Sequence, residues 1–167
     1  MLDPSTPPEG KPRRQQTRPG DPPSALEQRG EQLGIHFTRG RTWTSNSHIG
    51  LEAAEFIGEH HPEHAAAFHR RMFRAYFDEL ADISTIDAVV GFAAEAGVEP
   101  GPLREALETG AMREQVDEAI DWARQAGISA VPTFVIDGKY AVVGAQPLEV
   151  FEQVMERLGK QRKAEPA

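Results

Sequence analysis

The chain has 167 residues, no cysteine, and 26 acidic against 18 basic side chains, for a net charge of -8. That length suffices for one domain with a buried core, or two small ones, while the missing sulfur excludes disulfides, thiolate metal sites and cysteine nucleophiles within these residues. The acidic balance argues against nucleic acid as a partner, which needs a basic footprint; no apolar run reaches the roughly 20 residues of a membrane span, and Met1-Leu2-Asp3-Pro4 does not open a charged-then-apolar leader, so no membrane partner and a cytoplasmic location are expected.

Residues 1–23 hold Pro4, Pro7, Pro8, Pro12, Pro19, Pro22 and Pro23 beside Lys11, Arg13, Arg14 and Arg18. Prolines at this density block helix and central strand, so the arm is expected to be extended or disordered and solvated. Residues 24–47 read as a short helix over Ser24–Leu33, with Leu26 and Leu33 on one face and Gly34 as its stop, then an extended segment carrying Ile35, Phe37 and Trp43. Ser45-Asn46-Ser47 offers side-chain oxygens to cap the next helix.

Residues 48–110 read as a helical insertion. His48–His60 places Ile49, Ala53 and Ile57 at spacings of four, and Pro62 starts a new helix where its missing N–H does no harm. Ala65, Phe68, Met72, Tyr76 and Leu80 then share a stripe, flanked by Phe73 and Phe77, and such a stripe is expected to be core. Ser84-Thr85-Ile86-Asp87 reads as a capping box with Asp in place of Glu. Ile86, Val89, Val90 and Ala93 follow, closed by Gly97; Pro100–Glu108 is a short helix with Leu103 and Leu107 inward. No internal repeat is present.

Residues 111–160 read as helix, hairpin and helix, with a basic tail over 161–167. Ala111–Ala126 carries Val116, Ile120 and Ala123 on one face, and Gly127 sits where a left-handed C-cap belongs. Val131-Pro132 precedes the β-branched and aromatic run Thr133–Ile136, Asp137-Gly138 is the dipeptide of a type I′ turn, and Tyr140–Val143 is the return strand. A proline cannot donate to a strand ladder, so Pro132 belongs at the strand's first residue. Gly144 and Pro147 lead into a last helix, whose amphipathic pattern is defined by Leu148, Phe151, Val154, Met155 and Leu158.

Candidate chemistry is sparse. His60, His61, His64 and His69 cluster, but Pro62 falls between His60 and His64, so a zinc pair on one unbroken helix is not formed and a metal site is not expected. No Gly-x-Ser-x-Gly elbow exists, and Gly138-Lys139 belongs to a hairpin and not to a phosphate-cradling loop. The carboxylates lie mainly on expected helix exteriors, and no acid–base pair stands out.

The string Gly127-Ile128-Ser129-Ala130-Val131-Pro132-Thr133-Phe134-Val135-Ile136-Asp137-Gly138, followed by Gly144-Ala145-Gln146-Pro147, resembles the C-terminal half of a thioredoxin-fold protein. More narrowly it resembles the DsbA family and its FrnE-like branch. The resemblance implies an α/β, incomplete thioredoxin-like fold, a C-terminal β-hairpin plus helix with a helical insertion domain, mostly α by content. It implies a cis bond before Pro132; the residues alone are also served by a trans proline that separates helix from strand. Leu2-Asp3-Pro4 followed by Pro7-Pro8-Glu9-Gly10 is similar to the loop after the FrnE-like second strand. On that similarity the chain is expected to start where that strand ends, without the first strand and the Cys-x-x-Cys helix. Asn46-Ser47 is similar to an Asn-Thr-like pair near the family's active-site face, matching its first member only; capping alone also accounts for it.

The resemblance implies thiol–disulfide oxidoreduction, yet that exchange needs a Cys-x-x-Cys pair absent here. No catalytic residue and no cofactor are therefore expected. In thioredoxin-fold proteins the backbone before the cis proline receives an extended peptide, so Val131, Pro132 and Asn46 are the expected substrate-binding residues, with a peptide or protein thiol client as partner. A second reading is a non-catalytic peptide- or partner-binding module using the Val131-Pro132 edge. An exposed edge invites pairing, so this reading carries a homodimer or heteromer. A third is a glutathione-dependent isomerase or transferase relative, whose serine near the first helix is also missing.

Overall fold

The structure is a computed structural model that describes residues 6–13 and 20–160. The chain divides into two units, whose described parts are residues 6–120 and residues 121–160.

Capping and proline placement set the helices of the larger unit. Helix α1 (Ala25–Gln32) opens on a reciprocal box: Ser24 Oγ accepts from Glu27 N at 3.2 Å, and Glu27 Oε2 accepts from Ser24 N at 2.7 Å. Helix α2 (His48–His60) passes directly to α3 (Pro62–Phe77), with Pro62 at the first helical position. Helix α4 (Ile86–Glu95) starts at Thr85, whose Oγ1 accepts from Ala88 N at 3.3 Å. The expected box from Ser84 to Asp87 therefore does not form; the cap lies one residue later, and the third helical position is an alanine with no side chain to reciprocate. Gly97, at φ 94°, ends α4 in a Schellman arrangement, with Val98 N on Ala93 O at 3.0 Å and Gly97 N on Ala94 O at 3.0 Å. Helix α5 spans Pro100–Thr109.

The apolar faces of α2 to α5 make one core. Ala53, Phe56 and Ile57 of α2, Phe68 of α3, Val89, Val90 and Ala93 of α4, and Leu103, Ala106 and Leu107 of α5 are buried together with Val98. Each fully buried large side chain contributes about 1.5–3 kcal/mol of transfer free energy. The α3 stripe divides. Ala65, Phe68 and Met72 meet this core, whereas Phe73 is 63% exposed and stacks on Phe77 at 6.2 Å on the surface. Phe73 and Phe77 are thus not core: the line of α3 that α2 and α4 cover runs through Ala65, Phe68 and Met72. Leu26 and Leu33, expected on one face of α1, are 63% and 61% exposed.

Strand β1 (Lys11–Pro12) pairs antiparallel with β2 (Trp43–Thr44), Lys11 opposite Thr44 and Pro12 opposite Trp43. The described part of the Pro-rich arm is therefore folded: Thr6 and Gly10 are buried, and Trp43 Nε1 donates to Glu9 O at 3.2 Å. The Leu2-Asp3-Pro4 junction, Arg14, Arg18 and the tail over 161–167 lie outside the described residues.

Helix α6 (Arg113–Gln125) begins in the larger unit and ends in the smaller. The smaller unit continues with strand β3 (Thr133–Ile136), strand β4 (Tyr140–Val143) and helix α7 (Leu148–Arg157). Among the described residues no helix is long and apolar enough to cross a membrane.

Candidate functional site

Backbone chemistry builds the smaller unit's site. Gly127, at φ 71°, ends α6 with Ile128 N on Ala123 O at 2.9 Å and Gly127 N on Arg124 O at 3.0 Å, the same Schellman closure as at Gly97. The chain then turns through Ser129 and Ala130, where Thr133 Oγ1 donates to Ala130 O at 2.6 Å. The Val131–Pro132 peptide bond is cis. Gly144 N donates to Pro132 O at 2.8 Å, so the far end of the return strand fixes the proline's carbonyl.

Strands β3 and β4 pair with Thr133 opposite Val143, Phe134 opposite Val142, Val135 opposite Ala141 and Ile136 opposite Tyr140. Asp137 and Gly138 both adopt positive φ, 53° and 64°, and Lys139 N reaches Ile136 O at 3.2 Å. Two successive positive φ values define the mirror-image turn whose twist suits a hairpin. Directly opposed residues share a face, so Phe134 and Val142 point the same way. Phe134 meets Phe151 of α7 edge-to-face at 5.0 Å, and Val142 is buried. On the opposite face Val135 and Val143 are 44% and 51% exposed.

Val131 is 64% exposed. No hydrogen bond from another described residue reaches its backbone N–H or carbonyl. An exposed donor and acceptor beside a strand start can take the main chain of an extended peptide.

Asn46 belongs to the larger unit and Val131 and Pro132 to the smaller. Asn46 is 8% exposed and its polar groups are engaged: its N–H donates to Ser84 Oγ at 2.9 Å, Nδ2 to Thr6 O at 2.9 Å, and Oδ1 accepts from His48 N at 2.8 Å. It therefore caps α2 in place of Ser47, whose side chain makes no capping bond. Asp82 organises the same corner, accepting from Ser45 Oγ at 2.8 Å and Ser84 N at 2.9 Å. Burial raises the Asp82 pKa, but the hydrogen bonds from Ser45 and Ser84 and the charge of Arg41 outweigh it and hold the carboxyl below its ordinary value.

Pro62 separates the expected histidine cluster: His60 ends α2, while His64 and His69 lie on α3. Among the described residues no group of three or more His, Asp or Glu side chains is placed to hold a metal ion. What sequence reasoning missed is Glu52. Its residue type places it on a helix exterior with the other carboxylates, yet its side chain is 1% exposed and contacts His48 Nδ1 at 2.9 Å. The signal available was their spacing of four on one helix.

A helix closed by glycine, a proline-led hairpin and a helix packed on one hairpin face, with a helical insertion ahead of them, define an incomplete thioredoxin-like fold. The chain belongs to the DsbA family: the family model of the DSBA-like thioredoxin domain matches residues 3–156. It is 32% identical over 108 residues to the uncharacterized protein YwbO of Bacillus subtilis (strain 168), an alignment covering 64% of this chain and 52% of YwbO. A probable DsbA oxidoreductase from Streptomyces coelicolor superposes with a TM-score of 0.69 at 23% identity, over 85% of this chain and 61% of that one. A solved structure from Nitrosomonas europaea superposes with a TM-score of 0.63 at 17% identity, over 77% of this chain and 67% of that one. These identities show the fold alone. The chain spans about half of YwbO and about three fifths of the Streptomyces protein.

Proposed function

We propose that this chain supplies the client-binding scaffold of a DsbA-like thiol–disulfide oxidoreductase and carries out no thiol exchange itself. Membership of the family sets the reaction class, and the zero cysteine count removes the nucleophile and the resolving thiol from these residues. Oxidoreduction would need a Cys-x-x-Cys pair supplied from outside the 167 residues. The observation that carries the binding half is the exposed backbone of Val131 beside Pro132, to which no other described residue hydrogen-bonds. An extended segment of a peptide or protein thiol client would add there as a strand, its main chain giving affinity and its alternate side chains giving selectivity. Asn46 fixes Thr6 and the start of α2 within the larger unit. The FrnE-like branch and a cytoplasmic location belong to this proposal and rest on the sequence alone.

The test has two arms. In an insulin-reduction assay with dithiothreitol, the chain is expected to leave the rate at the reagent's own value. In a titration with a cysteine-free extended apolar peptide, the amides of residues 130–133 are expected to shift and saturate. Catalysed reduction, or no amide response, contradicts the respective half.

A second reading is favoured by the open hairpin. Among the described residues β3 and β4 pair only with each other, and Phe134, Val135 and Val143 are 44%, 44% and 51% exposed. A two-stranded ribbon is marginal alone and its edges invite another strand. In this reading the edge closes on a second copy. Sedimentation equilibrium would return a dimer mass, and a strict monomer would remove the reading.

A further inference from the structure

His48, the first residue of α2, has a carboxylate on each ring nitrogen. Nδ1 lies 2.9 Å from Glu52 Oε1, and Nε2 lies 3.0 Å from Asp117 Oδ1 on α6. Each contact needs a proton between its two atoms. A neutral imidazole carries one N–H and ionised carboxylates carry none, so both contacts hold together only when the trio carries an additional proton. The arrangement that satisfies all three groups is an imidazolium donating to two carboxylates.

The surroundings determine how the trio responds when that proton leaves. Glu52 is 1% exposed, its Oε2 has no hydrogen-bond partner among the described residues, and Arg113 Nε of α6 stands 3.6 Å from its Oε1. Asp117 is 60% exposed. Beside the trio, Gln115 of α6 donates to Glu55 of α2 at 3.0 Å. Helices α3, α4 and α5 pack against α2, and among the described residues they bring no ion pair to His48 or Glu52. With the proton present, two cations face two anions. Without it, one ring nitrogen turns a lone pair toward a carboxylate oxygen. Glu52 cannot reach water and keeps the remaining N–H, whereas Asp117 can be solvated and lets go.

We propose that His48 is a proton-operated latch: its imidazolium form pins the first half of α6 to the start of α2, and its neutral form releases Asp117. The latch sits two residues after Asn46 and grips the helix that leads through Gly127 to Val131 and Pro132. Arg113–Glu52 and Gln115–Glu55 remain in both forms, so release loosens α6 without detaching it. Histidine is the side chain whose charge ordinarily changes across about pH 5 to 8, so that is the range to scan.

The test uses the full chain labelled with ¹⁵N, followed by NMR from about pH 5 to 8. At the acid end both His48 ring nitrogens should carry protons. The amides of Arg113–Ile120 should shift in step with loss of the ring proton, and their exchange should rise several-fold beyond the intrinsic effect of pH. In Asp117→Asn the amide can donate to the neutral ring nitrogen, so the α6 response should vanish while His48 still titrates. The proposal is overturned if α6 amides stay unchanged through the His48 titration, or if the same response persists in Asp117→Asn.

Discussion

Phe134 and Phe151 meet edge-to-face with ring centroids 5.0 Å apart, and this contact is what ties the proline-led hairpin to α7. An edge-to-face pair adds about 0.5–1.5 kcal/mol to the area it covers. Helix α7 has no fully buried residue, so Phe151 holds a large share of its docking. Phe151→Ala is expected to cost about 2 kcal/mol, below the range for fully buried rings. Urea denaturation followed through β3 and β4 amides would read it. A loss confined to the larger unit would place the contact's weight elsewhere.

Two helical glycines should respond to alanine in opposite senses. Gly91, inside α4, has nothing within 4 Å of where a Cβ would stand, so Gly91→Ala should stabilise by about 0.5–1 kcal/mol through lower unfolded-state entropy. Gly30, inside α1, would put its Cβ 2.5 Å from Phe37 Cε2 and 2.9 Å from Ile35 O. Gly30→Ala should therefore destabilise by about 1–3 kcal/mol. Thermal midpoints of the two variants against the parent chain provide the comparison.

Glu27 closes the α1 capping box and also takes Arg39, whose Nε lies 2.6 Å from Oε1. Arg39 first, then the Ser24 backbone and hydroxyl, lower its pKa from 4.5 to about 2. A depressed folded-state pKa means the contribution is fully present above the unfolded value and is lost as pH falls through the folded one. The stability gap between the parent chain and Glu27→Gln should be flat above pH 4.5 and shrink on acidification toward about 2. Denaturant midpoints at a series of pH values measure that gap, and a gap that widens in acid would reverse the assignment.

The sequence carried local structure where a backbone conformation accepts few residue types. Pro62 marked a helix start because its ring fixes φ, and Gly127 and Asp137-Gly138 marked a helix end and a turn because few other residues accept positive φ. It was less informative where the outcome depends on what arrives from elsewhere in the chain. Phe73 flanks the α3 stripe on which Phe68 lies, and spacing does not tell whether a neighbouring element covers that flank; here Phe73 is exposed. The Ser24–Glu27 box was written in the sequence as Ser-x-x-Glu, while Thr85 capped α4 one residue beyond the expected position. At the site, Val131-Pro132 was legible through its place before the hairpin. The engagement of Asn46 with Thr6 and Ser84 spans about forty residues of chain and leaves no mark on local pattern.

The most direct measurement of the central claim, a peptide-receiving edge without sulfur chemistry, is the ¹H–¹⁵N spectrum of the intact chain titrated with a cysteine-free extended peptide. The expected result is saturable movement of the Val131 amide and its neighbours at 130–133, with the Leu103 and Leu107 core amides unmoved. A Val131 amide that stays fixed at millimolar peptide, or shifts spread evenly over the chain, would contradict it.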